Sequence, residues 1–337
     1  MKILVEDSTW NNVGDGWYQT SLFFLLKKLY PKHDVCIGEG PVRRAFRIGS
    51  KWQKDNALNL LDYEPADIHV FSGPMIPSII QDYGQAIRRI LERGEQYVLI
   101  SASGTGLSKP VISAIGQFLK DYPPLFFASR DEETYKNFSS YVKNSYNGIC
   151  TAFLVDKTIK LSTFKLDKPF FISSFYTELE PTFFVPDGMK ATVENLQVKH
   201  KKTICGLPFR YSRHFDWMRK NKQVEVGGKL IVRTIQNLNT RFNHINFSMP
   251  NSFISFDPIK YLEVVKASEF TVSDRVHACA VSLACGHPAR FLFNTPRAGI
   301  FDRMGFDYLS NDGVMYPNME KIEEEQEILE RKILSAF

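Results

Sequence analysis

No two of the five cysteines form a CxxC pair, and their number is odd. Cys36, Cys150, Cys205, Cys279 and Cys285 are far apart and sit mostly in apolar runs. That spacing argues against a disulfide framework or zinc site and reads as reduced core thiols. Long hydrophobic runs are also missing. Near the start, Ile3 to Val5 is a short apolar stretch before charge returns at Glu6. This is neither a signal peptide nor a membrane span, so a cytoplasmic protein is expected. Charge of one sign is not in strong excess: 42 Lys and Arg face 37 Asp and Glu, a net +5. This mild basicity suits an acidic substrate or an anionic membrane surface and falls short of a nucleic-acid binder. No carboxylate or histidine cluster has metal-ligand spacing, so no essential metal is expected. His33, His69, His244 and His287 have no partner spacing and read as structural. No short fixed-period repeat is present.

What is present is ordinary globular composition, 44% apolar and 23% charged, over 337 residues, enough for two cores. Strand and helix patterns alternate. Strands are predicted at Lys2–Val5, Val35–Ile37, Ile68–Phe71, Tyr97–Ser101, Leu125–Ala128 and Ile149–Val155. A loop is expected over Asn11 to Gly16, then a helix over Trp17–Leu29 carrying Leu22, Leu25, Leu26 and Leu29 at helical spacing. Further helices are expected at Ile79–Arg93 and Val111–Leu119. A polar, Lys-rich hinge, 156–169, separates this block (1–155) from a second (170–337). There Phe170–Tyr176, Lys202–Gly206, Leu230–Arg233, Phe253–Phe256, Phe270–Val272 and Ala289–Phe293 read as strands. Asp257 and Pro258 open a helix through Lys266, and Met319–Leu334 closes the chain as an amphipathic helix. The expected fold is α/β: two Rossmann-like, doubly wound domains facing a cleft, with ligands beyond the carboxyl ends of the strands.

The chemistry concentrates at Ser273-Asp274-Arg275-Val276-His277, which leads into a small-residue helix, Ala278 to Cys285, closed by Gly286 and Pro288. With Ser273 or Asp274 as N-cap, Arg275 and His277 fall in the first turn, where the helix dipole repels cations. An anion there would meet guanidinium, imidazole and free N–H groups together. The plainer alternative is a half-buried Arg paired with a neighbouring Asp and a space-filling His; the residues alone leave both open.

From Asp257 to Gly305 the chain resembles the polysaccharide pyruvyl transferase family, through Ser273, Arg275, His277, Gly286, Pro288 and Arg297. Weaker matches are Asn12-Val13-Gly14-Asp15, Ser72-Gly73, and Ser129-Arg130-Asp131 with Tyr135. The family usually has Lys where Arg297 stands, and a glycine run where this chain has Gly73-Pro74. The resemblance implies a GT-B-like fold, with the first domain on the acceptor side and the second on the donor side. It implies transfer of a pyruvyl group from phosphoenolpyruvate onto two hydroxyls of a sugar in a cell-surface polysaccharide or its lipid-linked precursor, giving a cyclic ketal and phosphate. Phosphoenolpyruvate is then the donor substrate, with no further cofactor. Arg275, the helix end, Arg297 and Arg130 would bind the donor anion. His277 would protonate its methylene carbon. Asn12, Gly14, Asp15 and Ser273 complete the implied site, Asp15 orienting sugar hydroxyls or acting as base. A loop cap remains the alternative for Asp15 and a local ion pair for Arg130.

Lys199 to Lys202, and Arg210 to Lys222 with its interleaved aromatics, suit a lipid headgroup surface at the inner face of the membrane or a lipid-pyrophosphate acceptor. Such a stretch is usually a solvated loop over a core edge, which is the plainer alternative. Rival functions are a GT-B-like glycosyltransferase with a nucleotide-sugar donor and a non-catalytic glycan-binding protein of the same fold.

Overall fold

The computed structural model describes residues 1–7, 12–41, 57–200, 221–234, 248–309 and 312–337. Strands β1 (Lys2–Asp7), β2 (Asp34–Glu39), β3 (Ile68–Gly73), β4 (Gln96–Ala102), β5 (Phe126–Ser129) and β6 (Ser145–Asn147) form one sheet in the order β2-β1-β3-β4-β5-β6. Every neighbouring pair is parallel. All six residues of β3 are buried, since helices cover both faces of such a sheet.

A second sheet is built from β7 (Phe170–Ser174), β10 (Glu225–Val226), β11 (Lys229–Arg233), β12 (Thr271–Ser273), β13 (Ala289–Phe291) and β14 (Val314–Met315). Its order is β10-β11-β7-β12-β13-β14. The inner four strands are parallel, and the two edge strands run antiparallel to them. Strands β8 (Thr182–Phe184) and β9 (Gln197–Lys199) form a separate antiparallel pair.

The helices that matter for the site are α1 (Val13–Leu29), α2 (Gly84–Glu92), α3 (Lys109–Asp121), α4 (Glu132–Phe138), α5 (Pro258–Ala267), α6 (Val276–Ala284) and α7 (Met319–Leu334). Asp257 caps α5 by accepting the Ile259 N–H at 2.8 Å, and Pro258 opens the helix, as its sequence order predicts.

Helix α1 departs most from its sequence pattern. The leucine spacing indicates one apolar face, yet twelve of its residues are buried. It packs on both sheets' helical layers at once. Trp17 Nε1–H donates to Pro258 O of α5 at 3.0 Å, and Thr151 donates to Tyr18 O at 2.9 Å. Leu22, Leu25 and Leu26 share one apolar cluster with Val264, Val281 and Leu329, so residues of both halves form one continuous core. Burying each such side chain contributes roughly 1.5–3 kcal/mol. Helix α7 returns to the first half: Gln326 donates to Phe153 O at 2.7 Å, and the Tyr30 hydroxyl donates to Phe337 O at 2.8 Å.

Two predicted strands are not strands. Ile149–Val155 is a single 3₁₀ turn, Thr151–Leu154, running into a short helix, while the sixth strand lies earlier at Ser145–Asn147. The apolar run is buried by α1 and α6, not by pairing; short apolar runs do not distinguish these outcomes. Phe253–Phe256 makes no ladder beyond a bridge at Ser252, and Phe256 is fully solvent-exposed. The predicted strand Lys202–Gly206, Cys205, His244 and most of the basic-aromatic stretch lie outside the described residues. Among the described residues no helix is long and apolar enough to cross a membrane, and no group of three or more His, Cys, Asp or Glu is placed to hold a metal ion.

Candidate functional site

The carboxyl ends of β3 and β5 from the first sheet, and of β7, β11, β12 and β13 from the second, converge on one cavity of about 380 Å³. Its wall includes Asn12, Gly14, Asp15, Arg130, Arg275, His277 and Arg297. Strand ends are where an α/β sheet leaves room for a ligand, and this volume suits a small molecule.

Two helix starts face each other across the cavity. The expected loop at 12–16 is instead the opening of α1: Asn12 is the N-cap, and its side chain accepts the Gly14 N–H. The same oxygen accepts from Arg275 Nη2 at 2.8 Å, tying the two halves together. At α6 the expected cap is also displaced. Arg275 itself is the N-cap residue, in an extended conformation, and its side chain makes no capping hydrogen bond. Asp274 is drawn away because its carboxylate accepts three backbone N–H groups, from Tyr176, Thr177 and Glu178. Ser273 does not line the cavity. Its hydroxyl donates to Ser174 O at 2.6 Å and accepts the Arg275 N–H at 2.8 Å, so both of its capacities are used in fixing the turn. His277 is therefore the second residue of α6, with the helix's first N–H groups beside it.

The imidazole is half-buried, with part of its surface on the cavity. Arg130 Nη1 approaches His277 Nε2 at 3.2 Å. A guanidinium only donates, so Nε2 is the acceptor and the ring is neutral with its proton on Nδ1. Burial, reinforced by the positive fields of Arg130, Arg275 and Arg297, holds this histidine well below the usual range. The Tyr18 ring packs against the imidazole at 5.1 Å and lies 5.8 Å from the Arg130 guanidinium. Gly73 makes room for Tyr18: it has φ +77°, and a Cβ there would stand 2.0 Å from the tyrosine oxygen.

Arg130 is 2% exposed, and its Nε has no hydrogen-bond partner. Among the described residues it forms no ion pair with a carboxylate. The local Asp131 is engaged elsewhere, capping α4 through Thr134 N–H and accepting the Ser103 hydroxyl, each at 2.8 Å. Arg275 likewise has no carboxylate ion-pair partner among the described residues; its guanidinium lies 4.7 Å from the centre of the Tyr176 ring. Arg297, on the 3₁₀ turn Pro296–Ala298, is exposed and reaches the cavity from β13. Among the described residues, the carboxylates on the wall are Asp15 and Asp274. Burial raises the Asp274 carboxyl above its ordinary value, opposed by Arg275 and the three N–H groups.

Gly14 faces the imidazole so closely that a Cβ would stand 2.8 Å from His277 Nδ1 and 3.0 Å from its Cβ. Gly14→Ala is thus favourable for the helix by roughly 1 kcal/mol but displaces the histidine. The expected outcome is a folded protein with kcat/KM reduced about tenfold to a hundredfold. Unchanged steady-state rates would show that the ring position is not critical.

Sequence reasoning did not reach Trp17, Ser174, Tyr176, Thr177, Thr234, Phe293 and Thr295, which also line the cavity. Tyr176 and Phe293 end predicted strands, and Thr177 and Thr234 directly follow them, so these four were accessible through the strand-end rule. Trp17 reads as core, and its apolar helix pattern hides its second role.

The family model described as polysaccharide pyruvyl transferase matches residues 12–294. No curated protein matches the chain. Solved structures similar to it include UDP-GlcNAc 2-epimerase from Neisseria meningitidis bound to UDP-GlcNAc, at 11% identity over 99% of this chain and 100% of that chain, with TM-score 0.50. Another is the S. aureus MnaA–UDP co-structure, at 11% identity over 100% and 91%, with TM-score 0.52. The likeness is one of fold, GT-B-like, as the two facing sheets imply.

Proposed function

The chain belongs to the polysaccharide pyruvyl transferase family and is a transferase with a sugar acceptor; from that premise we propose that it moves a pyruvyl group from phosphoenolpyruvate onto two hydroxyls of the sugar as a cyclic ketal. The observation that carries this reading is the set of three arginines around one neutral histidine, two of them without a carboxylate ion pair among the described residues. Such a site is incomplete without an anion.

The donor supplies one with two anionic groups, phosphate and carboxylate. Arg130 and Arg275 would take these as forks, with Arg297 at the rim and the free N–H groups of α6 behind. When the phosphate draws Arg130 away, His277 Nε2 is released. The arginines' charge is then offset, and the imidazole gains a proton. Delivered to the donor's methylene carbon, that proton makes a methyl group and leaves an electron-poor carbon that one sugar hydroxyl attacks. The second hydroxyl closes the ketal as the C–O bond to phosphate breaks. Of the two hydroxyl protons, one replaces the histidine's and the other leaves with phosphate, so the balance closes without a metal or redox partner. Asp15, on the cavity wall from α1, would orient the hydroxyls. A lipid-linked saccharide is the acceptor form that the basic 199–222 stretch would suit.

The test is incubation with phosphoenolpyruvate and oligosaccharide acceptors, following phosphate release and the mass of the product. Phosphate release that depends on acceptor, with a pyruvylated glycan formed, is expected. Turnover of a nucleotide sugar with none of phosphoenolpyruvate would replace this reading with that of a glycosyltransferase.

A further inference from the structure

Three consecutive backbone N–H groups that converge on one oxygen-bearing group make an anion nest. In the segment after β7 that nest is already filled from within. Asp274 Oδ1 accepts from Tyr176 N–H at 2.9 Å, and Oδ2 accepts from Thr177 at 2.5 Å and Glu178 at 2.6 Å. The carboxylate is 3% exposed, and although it neighbours Arg275 in sequence it makes no ion pair with it. Arg275 is held by two other groups: Asn12 Oδ1 at 2.8 Å and the face of Tyr176 at 4.7 Å. The residue that lies over the guanidinium is thus the first of the three whose N–H groups Asp274 grips.

We propose that Asp274 is a positioning residue for donor binding: its carboxylate clasps residues 176–178, and the clasp sets the Tyr176 ring against Arg275 so that the guanidinium is aimed into the cavity. This rests on the phosphoenolpyruvate reading of the site. The arrangement separates two duties within one short motif. Asp274 spends its hydrogen-bonding capacity on the neighbouring loop, which leaves the Arg275 N–H groups not taken by Asn12 for a ligand. A ring against a partly desolvated guanidinium contributes enough to fix its direction. Asp274→Asn keeps the volume but presents an amide N–H₂ to at least one of the three donors, and the clasp opens.

The experiment is calorimetric titration of phosphoenolpyruvate into the full chain, its variants Asp274→Asn, Tyr176→Leu and Tyr176→Phe, and the double variant Asp274→Asn with Tyr176→Leu. Asp274→Asn and Tyr176→Leu are each expected to weaken binding about tenfold, and Tyr176→Phe to stay within about twofold of the parent because the ring is kept. In the double variant the losses do not multiply, since both act on one element. At saturating donor, kcat stays within about threefold of the parent, a split that general loss of structure would not give. Parental affinity in Asp274→Asn, or losses that multiply, would overturn the clasp alone. If Asp274→Asn does not fold, the Tyr176 pair decides, and equal weakening by Phe and Leu would overturn the proposal. A parent that binds no phosphoenolpyruvate would overturn both the clasp and the function it serves.

Discussion

His277→Gln is expected to lower kcat by about 10²–10⁴-fold, the range lost when a general acid is removed, with donor affinity retained. Glutamine can still accept the Arg130 N–H through its side-chain oxygen, so the cavity's cations stay in place while proton delivery ends. The pH behaviour follows from the depressed imidazole. Without donor, the ring is neutral at neutral pH because burial and the three arginines oppose its charge, while Asp15 and Asp274 on the same wall do not reverse that balance. On the proposed reading, donor binding offsets the arginines and raises the proton affinity, so phosphoenolpyruvate is expected to bind with uptake of a proton. Titrations in buffers of different ionisation enthalpy measure that uptake, and it disappears in His277→Gln. Across neutral to mildly alkaline pH, kcat/KM, which reports the free enzyme, falls as pH rises, while kcat holds until the raised value of the complex is passed. The stability linkage has the opposite sense. An unfolded histidine protonates near pH 6.5, before the folded one, so the donor-free protein loses stability as pH drops below about 6.5. A pH-independent kcat/KM with no proton uptake would remove His277 as the acid.

Arg130→Met is expected to stabilise the donor-free fold while disabling it. The side chain is 2% exposed, its Nε is unsatisfied, and its local carboxylate is committed to Ser103 and Thr134. A buried charge without a carboxylate partner carries an uncompensated desolvation cost, and an apolar side chain of similar length removes it. Loss of the preorganised cation should cost about 10²–10³ in kcat/KM with phosphoenolpyruvate. Thermal unfolding and initial rates on the same preparation measure both. A lower melting temperature with rates intact would make Arg130 a structural residue and remove one of the donor's forks.

Much of this arrangement is legible in the sequence because it depends on local patterns. Buried parallel strands are near-continuous apolar runs, and β3, β4, β7, β11, β12 and β13 all appear where such runs stand. The Asp257-Pro258 cap and the Met319–Leu334 helix depend only on neighbouring residues and have the same physical basis in the chain and in the fold. What local pattern does not contain is competition between distant partners. Asp274 is a good N-cap in isolation, yet the N–H groups of residues 176–178 claim its carboxylate, and the helix starts later. Asn12 and Gly14 resemble a loop until α1 is packed between the halves, which makes their turn its opening and sets Gly14 against His277. Tyr176 and Tyr18 carry no signal of their own, because a ring's partner is decided by which strand ends meet.

The shared burial of α1 ties chemistry to global unfolding. Hinged two-lobed proteins open by parting their halves, but here parting would strip water-excluding neighbours from Leu22, Leu25 and Leu26 on the same rod whose tip presents Asn12 and Gly14. The cavity and the mortar between the halves are one object. Heat that loosens the seam therefore dissolves the chamber in the same cooperative event, and inactivation coincides with melting instead of preceding it.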